Sequence, residues 1–352
     1  MEAPARNRLI VLTVLVVLVA ALAFVSAAQG PYEKVRATEV LRVLAHKTGL
    51  ASGALDATNE KVVMNLRLPR VALAILAGLA LGMAGAVLQG LFRNPLADPA
   101  LIGVSSGAAL GAVAVIVLGG KILSTLPDAV GAFALPLVAM AGGIAVTFLI
   151  YHLSKVEGRT HVTLMLLTGL ALNAFVGAAI GVIIYLASDQ QLRQWIFWSL
   201  GSLTKEGWPQ IGAAALFILP ASAALPFFAR PLNAMLLGEA EAQHLGVPVQ
   251  QLKRVLIILS AVMVGAAVAV TGTIGFIGLV APHLVRLAFG PDHRLLLPAS
   301  GLLGATLLLL ADLAARVSPV GFEELPIGVV TAFIGAPVFL ALLLRARKKG
   351  EY

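Results

Sequence analysis

The 352-residue chain contains no cysteine, which excludes disulfide bonds and any chemistry that needs a thiol nucleophile. Charged residues are also scarce: they make up 12% of the sequence, against about 25% in soluble proteins, whereas 59% of the residues are hydrophobic. This composition predicts an all-α polytopic membrane protein. Within its apolar stretches there is a single acidic residue, Asp312. Ion-driven carriers and pumps usually hold carboxylates inside the membrane, so a different energy source is expected for any transport.

Ten apolar stretches run through the chain, and most reach the roughly 20 residues that a helix needs to cross the hydrocarbon core. An even number of crossings puts both termini on one side. Both termini are basic, so the positive-inside rule predicts that both lie in the cytoplasm. Residues 1–28 are expected to be a retained first helix, with a cleaved signal peptide as the alternative, because the apolar run exceeds the roughly 7–15 residues of a signal sequence. The stretches are 9–28, 71–91, 100–118, 129–151, 162–187, 209–228, 255–271, 275–289, 295–317 and 326–344.

The whole chain, 1–352, is expected to form one transmembrane domain without a soluble domain. Its largest polar segments are an external loop at 29–66 and a cytoplasmic loop at 229–254. The net charge of +8 fits contact with anionic lipid and with acidic protein partners. Because the basic residues are scattered over the loops instead of forming one stripe, nucleic acid is not expected as a partner.

Motifs for chemistry within the chain are weak or missing. Residues 103–107 fit the G-x-S-x-G pattern around Ser105, but a nucleophile elbow needs a strand before it, and here a proline-containing turn precedes a membrane helix. The six histidines form no H-E-x-x-H motif or close pair, and Gly119-Gly120-Lys121 lacks the Walker A spacing. We therefore expect no catalytic residue, no metal and no cofactor bound by the chain. An intramembrane hydrolase based on Ser105 remains a rival.

Three polar groups of residues interrupt the apolar pattern. Residues 93–99 join two helices and contain two prolines, which predicts a turn of defined shape. In the cytoplasmic loop, short helices are expected at 233–237 and 239–245, and such a stiff hairpin would suit docking to a partner. The third group consists of arginines at the external side, Arg67, Arg70 and Arg316. Arginine is well suited to binding carboxylates of a soluble partner, and anchoring by snorkelling is the alternative.

Four motifs are diagnostic when they are taken in order: RLPR at 67–70, GLFRNPLADP at 90–99, GFIGLVAPH at 275–283 and ELPIGVVT at 324–331. Together they closely resemble the FecCD-type permease subunits of ABC importers for vitamin B12, iron-siderophores and haem. The resemblance extends from about 62 to 346. It implies a type II ABC importer permease with ten helices in each subunit of a homodimer. The implied partners are two ATP-binding subunits, which use the ATP, and a periplasmic binding protein at the bacterial inner membrane.

The resemblance also implies roles by position. Arg67, Arg70 and Arg316 are similar to the arginines that engage acidic residues of the binding protein. The segment 238–246 is similar to the coupling helix that enters a cleft of each ATPase. The positions that are similar to the family's cytoplasmic gates are Asn94 and Leu96 in one segment and Val162 and Thr163 in another. The coupling residues are Gly238, Glu239, Ala240, Glu241, His244, Leu245 and Gly246.

The sequences at 189–193 and 197–203 resemble those of the haem branch of this family. Haem is therefore the expected substrate, with iron-siderophore or vitamin B12 as alternatives. A pathway with few charges suits the large apolar ring of haem. Tyr185, Met165 and His283 are candidates for transient iron ligands, although packing is the preferred interpretation of each. A secondary carrier is a more distant alternative, and it would need buried ionisable groups.

Overall fold

The computed structural model describes residues 5–30, 35–50, 55–120, 127–204, 206–316 and 324–348. Within them, seven helices are long and apolar enough to cross a membrane, and three shorter apolar helices accompany them. This confirms the predicted all-α membrane fold with about ten spans. The last residue of the predicted span 295–317 and parts of the predicted external loop 29–66 lie outside the described residues.

In chain order, the helices of the described residues are α1 (Ala5–Ala28), α2 (Ala37–Lys47), α3 (Ala57–Val62), α4 (Leu68–Leu91), α5 (Val104–Val113), α6 (Asp128–Leu153), α7 (Val162–Tyr185), α8 (Asp189–Ser199), α9 (Trp208–Ala224), α10 (Ala229–Met235), α11 (Glu239–His244), α12 (Val249–Thr271), α13 (Ile277–Phe289), α14 (His293–Arg316) and α15 (Ile327–Lys348). Strands β1 (Lys155–Val156) and β2 (Arg159–Thr160) pair in an antiparallel hairpin between α6 and α7.

Helices α4, α12 and α14 form the centre of the bundle. About three-quarters of the residues in their apolar windows are buried, against 11% for α1 and α7. Small residues let the central helices approach closely, as in other membrane bundles. A Cβ atom on Gly82 would lie only 2.1 Å from the carbonyl oxygen of Ser300, and one on Gly78 would lie 2.5 Å from the Cα of Ala305. The backbones of α4 and α14 are therefore in direct contact.

The polar segment before α4 is more helical than a loop. It contains α2 and α3, and α3 continues through a π-helical turn, Val63–Arg67, directly into α4. The helical run from Ala57 to Leu91 covers 35 residues, whereas the apolar pattern predicted a span that begins only at residue 71. The helix therefore begins before the apolar stretch that was predicted to lie in the membrane, and this first part contains polar residues.

The bundle has two polar ends that are built from distant parts of the chain. At one end α1 and α14 finish and α4 begins. At the other, α10 and α11 project beside the start of α14. Arg8 near the start of α1 lies 3.7 Å from Asp292, just before α14, so the first helix starts at the end that carries α11.

Candidate functional site

An open recess of about 450 Å³ lies at the end of the bundle where α4 begins. We call it the arginine recess, because all three arginines of the predicted docking group line it. Asp312 and Glu324 line it as well. The structure thus brings together α4, the end of α14 and the segment before α15. The lining arginines are Arg67, Arg70 and Arg316.

Arg67 makes its contacts within the protein. Its side chain is buried, with 5% of the residue exposed. One guanidinium nitrogen donates hydrogen bonds of 2.9 Å each to the main-chain carbonyls of Ala27, Ala28 and Val35. The last carbonyls of a helix have no partner within it and carry a partial negative charge, so a cation satisfies them well. Arg67 therefore fastens the end of α1 to the start of α4.

Arg70 and Arg316 form an ion-pair network with the one carboxylate of the apolar spans. Arg70 Nε lies 2.7 Å from Asp312 Oδ1, and Arg70 Nη1 lies 2.6 Å from Glu324 Oε2. Arg316 pairs with the second carboxylate oxygen of Asp312 and donates a 2.7 Å hydrogen bond to the carbonyl of Ser26. The side chain of Asp312 is 1% exposed, whereas that of Glu324 is 32% exposed. The network is thus closed on its inner side and accessible at Glu324.

Replacing Asp312 with asparagine should destabilise the protein by about 3 kcal/mol, because it removes the charge that compensates two largely buried arginine side chains. The free energy of unfolding of the purified protein in mixed micelles would measure this loss. Glu39→Gln is a matched control, since Glu39 pairs with the largely exposed Arg42 and should cost well under about 1 kcal/mol. Equal stability of the Asp312 variant and this control would refute the structural role of the network.

The opposite end of the bundle carries the 238–246 segment, which is α11 with its flanking glycines. Gly238 has φ 129° and ψ 156°, a conformation that is essentially restricted to glycine. After α11, Gly246 has φ 83° and donates to Gln243, while Val247 donates to Ala242. This pair of hydrogen bonds is a Schellman cap. Both ends of the short helix are therefore set by the backbone itself.

One face of the 238–246 segment is exposed. Ala242 is buried against the bundle, and Leu245 is 65% exposed. Leu237, just before the segment, is 66% exposed. A rigid projection that presents both leucine and charged side chains is a suitable surface for another protein. The exposed members of the predicted coupling group are Ala240, Glu241, His244, Leu245 and Gly246.

The 238–246 segment is mounted on the bundle through Asn233 of α10. Asn233 donates a 2.7 Å hydrogen bond to Asp292 and accepts one of 2.8 Å from the main-chain N–H of His293. Burial alone would raise the pKa of Asp292. The hydrogen bonds from Asn233 and the N–H of Arg294, with the charges of Arg294 and Arg8, hold that pKa below its ordinary value. Asp292 is therefore a stable anion that ties α10 to the start of α14.

A buried cation joins the 238–246 segment to the start of α7. Lys253 on α12 is 1% exposed, and its ammonium lies 2.6 Å from the carboxylate of Glu239 and 2.9 Å from the carbonyl of Thr160. Thr160 also donates its N–H to Gln250 at 2.9 Å. Because Thr160 ends β2, two residues before Val162, Lys253 links the predicted coupling group to the segment that leads into one predicted gate.

The other predicted gate lies in the turn after α4. Arg93 has a left-handed conformation with φ 50°, and the side chain of Asn94 accepts a 2.9 Å hydrogen bond from the N–H of Leu96. Asp98 then accepts one of 2.8 Å from the N–H of Ala100. Burial raises the pKa of Asp98, and this hydrogen bond opposes the rise. The turn therefore has the defined shape that its prolines predict.

Contacts through α7 connect the two gate segments. Asn173 of α7 donates a 3.2 Å hydrogen bond to the carbonyl of Ala100 and accepts one of 2.6 Å from Ser106. Val162 and Thr163 are the first residues of α7. Asn173 thus joins the middle of α7 to the segment that follows the turn after α4.

The structure separates the three candidate iron ligands. Met165 is fully buried within the subunit, Tyr185 is 89% exposed at the end of α7, and His283 is partly buried in α13. In the described part of the chain, no three His, Cys, Asp or Glu side chains group as metal ligands. Ser105 lies in the first turn of α5, and the neighbouring Ser106 is already hydrogen-bonded to Asn173.

Comparisons with known proteins agree with this architecture. Residues 14–345 match the model of the FecCD transport family. The chain is 48% identical over 288 residues to the hemin transport system permease protein HmuU of Yersinia pestis, with 81% of this chain and 84% of the relative covered. It is 42% identical over 286 residues to the cobalamin import system permease protein BtuC of Halobacterium salinarum, with 81% and 74% covered.

A solved structure shares the fold along almost the whole chain. It is described as an inward-facing conformation of a metal-chelate type ABC transporter. The TM-score is 0.80 at 31% identity, and the match covers 95% of this chain and 98% of the other. A second match, PsaBC from Streptococcus pneumoniae, has a TM-score of 0.52 at 17% identity and supports the fold alone.

Proposed function

The chain belongs to the FecCD transport family, and from this premise we propose that it is the transmembrane subunit of an ATP-driven importer that carries haem across the bacterial inner membrane. An ABC importer permease implies ATP-binding subunits and a substrate-binding protein as partners. The observation that carries the proposal is the pairing of two sites: the arginine recess at one end and the rigid 238–246 segment at the other.

Haem is the substrate that the relatives and the sequence favour. The relative named as a hemin permease is 48% identical, against 42% for the one named as a cobalamin permease. The resemblance of 189–193 and 197–203 to the haem branch points the same way. ATP-dependent uptake by the complex in proteoliposomes should be fastest with haem, compared with a ferric siderophore and cobalamin. Preferred uptake of either competitor would reassign the substrate and leave the importer role intact.

The arginine recess is proposed as the seat for an acidic residue of the periplasmic binding protein. Two copies of the chain in a homodimer would present two such recesses, one to each lobe of that protein. Arg67 is committed to main-chain carbonyls, so its contribution is to hold the recess in shape. Arg70 is the cation that can exchange partners, because Glu324 is its more exposed carboxylate. An incoming carboxylate would replace Glu324 on Arg70.

Opposite effects on docking are expected from neutralising the two members of the Arg70–Glu324 pair. Arg70→Gln should weaken docking of the binding protein by about tenfold, because it removes the cation that a carboxylate would bind. Glu324→Gln should strengthen docking by a few-fold, because it removes a competing anion. Binding of the loaded binding protein to the permease in nanodiscs at low salt would measure both. If both variants weakened docking, the Arg70–Glu324 pair would have only a structural role, and the proposed replacement of Glu324 by an incoming carboxylate would be wrong.

The end that carries the 238–246 segment is proposed to face the cytoplasm, together with both termini. In this orientation the segment lies in a cleft of an ATPase subunit, and ATP binding moves it. Lys253 carries that movement to Thr160 and hence to Val162 and Thr163 at the start of α7. The turn with Asn94 and Leu96 forms the second gate. The substrate passes between the two copies, and hydrolysis resets the gates.

A further inference from the structure

An interrupted apolar groove runs along the antiparallel pair α6 and α12. It consists of two hollows. The one nearer β1 has a volume of about 240 Å³ and lies between residues 144–151 of α6 and 254–262 of α12. The other lies between 133–140 of α6 and 266–270 of α12, beside α9. Because both hollows use the same two helices in reverse order, they lie in line along the bundle, about one helical turn apart.

The groove suits an acyl chain in its size and chemistry. From residue 133 to residue 151, α6 rises by about 27 Å, which is close to the roughly 30 Å thickness of the hydrocarbon core. The walls are aliphatic and aromatic almost throughout. At the hollow nearer β1, Phe148 is 64% exposed and Ile258 is 52% exposed, so this hollow opens towards the outside of the subunit. An apolar groove that opens from a membrane helix pair is accessible to lipid.

Two cationic side chains lie at the end of the groove that is nearer β1. Lys155 and Arg254 both line the hollow nearer β1. The ammonium of Lys155 lies 4.4 Å from the ring centroid of Tyr151, which lines the same hollow as both cations. In the described part of the chain, neither cation forms an ion pair with a carboxylate. The hollow thus carries two positive charges, with no carboxylate among its lining residues.

The depth of these charges matches a lipid headgroup. Lys155 follows directly after the end of α6, and Arg254 is in the second turn of α12, so both lie where the helices emerge from the apolar core. Tyrosine is typical of this interface, and clustered Lys and Arg side chains there bind anionic lipids. A zwitterionic headgroup would bring its own cation beside the two that are already present.

We propose that this groove is a binding site for one phospholipid with an anionic headgroup. Its phosphate contacts Lys155 and Arg254, and one acyl chain lies between α6 and α12. The proposal concerns a bound lipid and does not depend on the proposed function. The site is near the proposed gate segment, however, because Arg254 is the chain neighbour of Lys253, whose ammonium donates to the carbonyl of Thr160.

The test uses the full chain in nanodiscs that contain equal amounts of phosphatidylglycerol and phosphatidylcholine, followed by native mass spectrometry of the lipids that stay bound. The wild-type chain should retain phosphatidylglycerol with a preference of at least about tenfold. The variant Lys155→Gln with Arg254→Gln should lose this preference. The control, Arg159→Gln with Arg230→Gln, removes the same charge from exposed positions outside the groove lining and should keep it.

Two results would overturn the proposal. Equal retention of both lipids by the wild-type chain would mean that the cations select no headgroup. Equal loss in the test and control variants would mean that interfacial charge in general, and not this groove, attracts the lipid. Val262→Phe narrows the groove without changing charge. This variant should also lower retention, and it serves as the independent test if the double variant does not fold; unchanged retention in it would remove the acyl-chain site.

Discussion

Replacing Lys253 with methionine is expected to lower ATP-driven uptake at least about tenfold while the assembled complex continues to hydrolyse ATP. Methionine fills similar space without the charge, so the links to Glu239 and Thr160 are both lost. A hydrogen bond to a charged group contributes about 1.5–3 kcal/mol, and about 1.4 kcal/mol corresponds to a factor of ten. Loss of either link would account for the effect. The measurement is the number of ATP molecules hydrolysed per substrate molecule carried.

That ratio separates coupling from stability. If Lys253 transmits movement, the ratio rises in Lys253→Met, because hydrolysis continues without transport. If Lys253 only stabilises the fold, uptake and hydrolysis fall together as folded complex is lost, and the ratio stays the same. Lys253→Arg is the matched control, since it keeps a cation that can donate to both acceptors. An unchanged ratio in the methionine variant would rule out the transmission that we propose.

Replacing Gly238 with alanine is expected to reduce uptake by about ten- to a hundredfold by distorting the 238–246 segment. Its φ of 129° is unfavourable for any residue with a Cβ atom, at a cost of about 1–3 kcal/mol. The added Cβ would also lie 2.2 Å from the carboxylate of Glu241, an exposed member of the segment. The helix would then be presented wrongly to the ATPase. Copurification of the ATPase with the permease should fall in parallel with uptake.

Gly246 provides the control for this prediction. It too has a positive φ, 83°, but no atom lies within 4 Å of the position that a Cβ would take. Asparagine tolerates this left-handed region, so Gly246→Asn should retain uptake within about twofold. If the Gly238→Ala variant copurified with the ATPase and supported uptake as well as the wild-type chain does, the shape of the segment would be irrelevant to ATPase docking.

The membrane helices were predictable because apolar length alone decides which segments cross a bilayer. Besides α2 and α3, two further elements between the spans were missed, for different reasons. Helix α8 carries a capping box, in which Ser188 and Gln191 bond reciprocally, and the S-x-x-Q spacing is a readable signal. The β1–β2 hairpin has strands of only two residues, too short for any alternation to appear. Both residues of its turn have positive φ, 50° at Glu157 and 76° at Gly158, but only the glycine indicates such a turn in the sequence.

The sites were less predictable than the helices, because their decisive contacts join distant segments. The arginines of the recess were singled out from the sequence as a polar group at the external side, and the resemblance then implied their docking role. That Arg67 is committed internally could not be predicted, since its acceptors are main-chain carbonyls that carry no sequence signal. Lys253 was one basic residue among several in a polar loop. Its role depends on where folding places Glu239 and Thr160, at 2.6 and 2.9 Å.

The central claim is that this chain moves its substrate only when partner ATPases drive it. The direct measurement is haem accumulation in proteoliposomes that contain either the chain alone, under an imposed ion gradient, or the chain with its ATPase and binding protein. The account predicts ATP-dependent accumulation by the complex and none by the chain alone. Uphill accumulation by the chain alone, abolished when the ion gradient is collapsed, would contradict it.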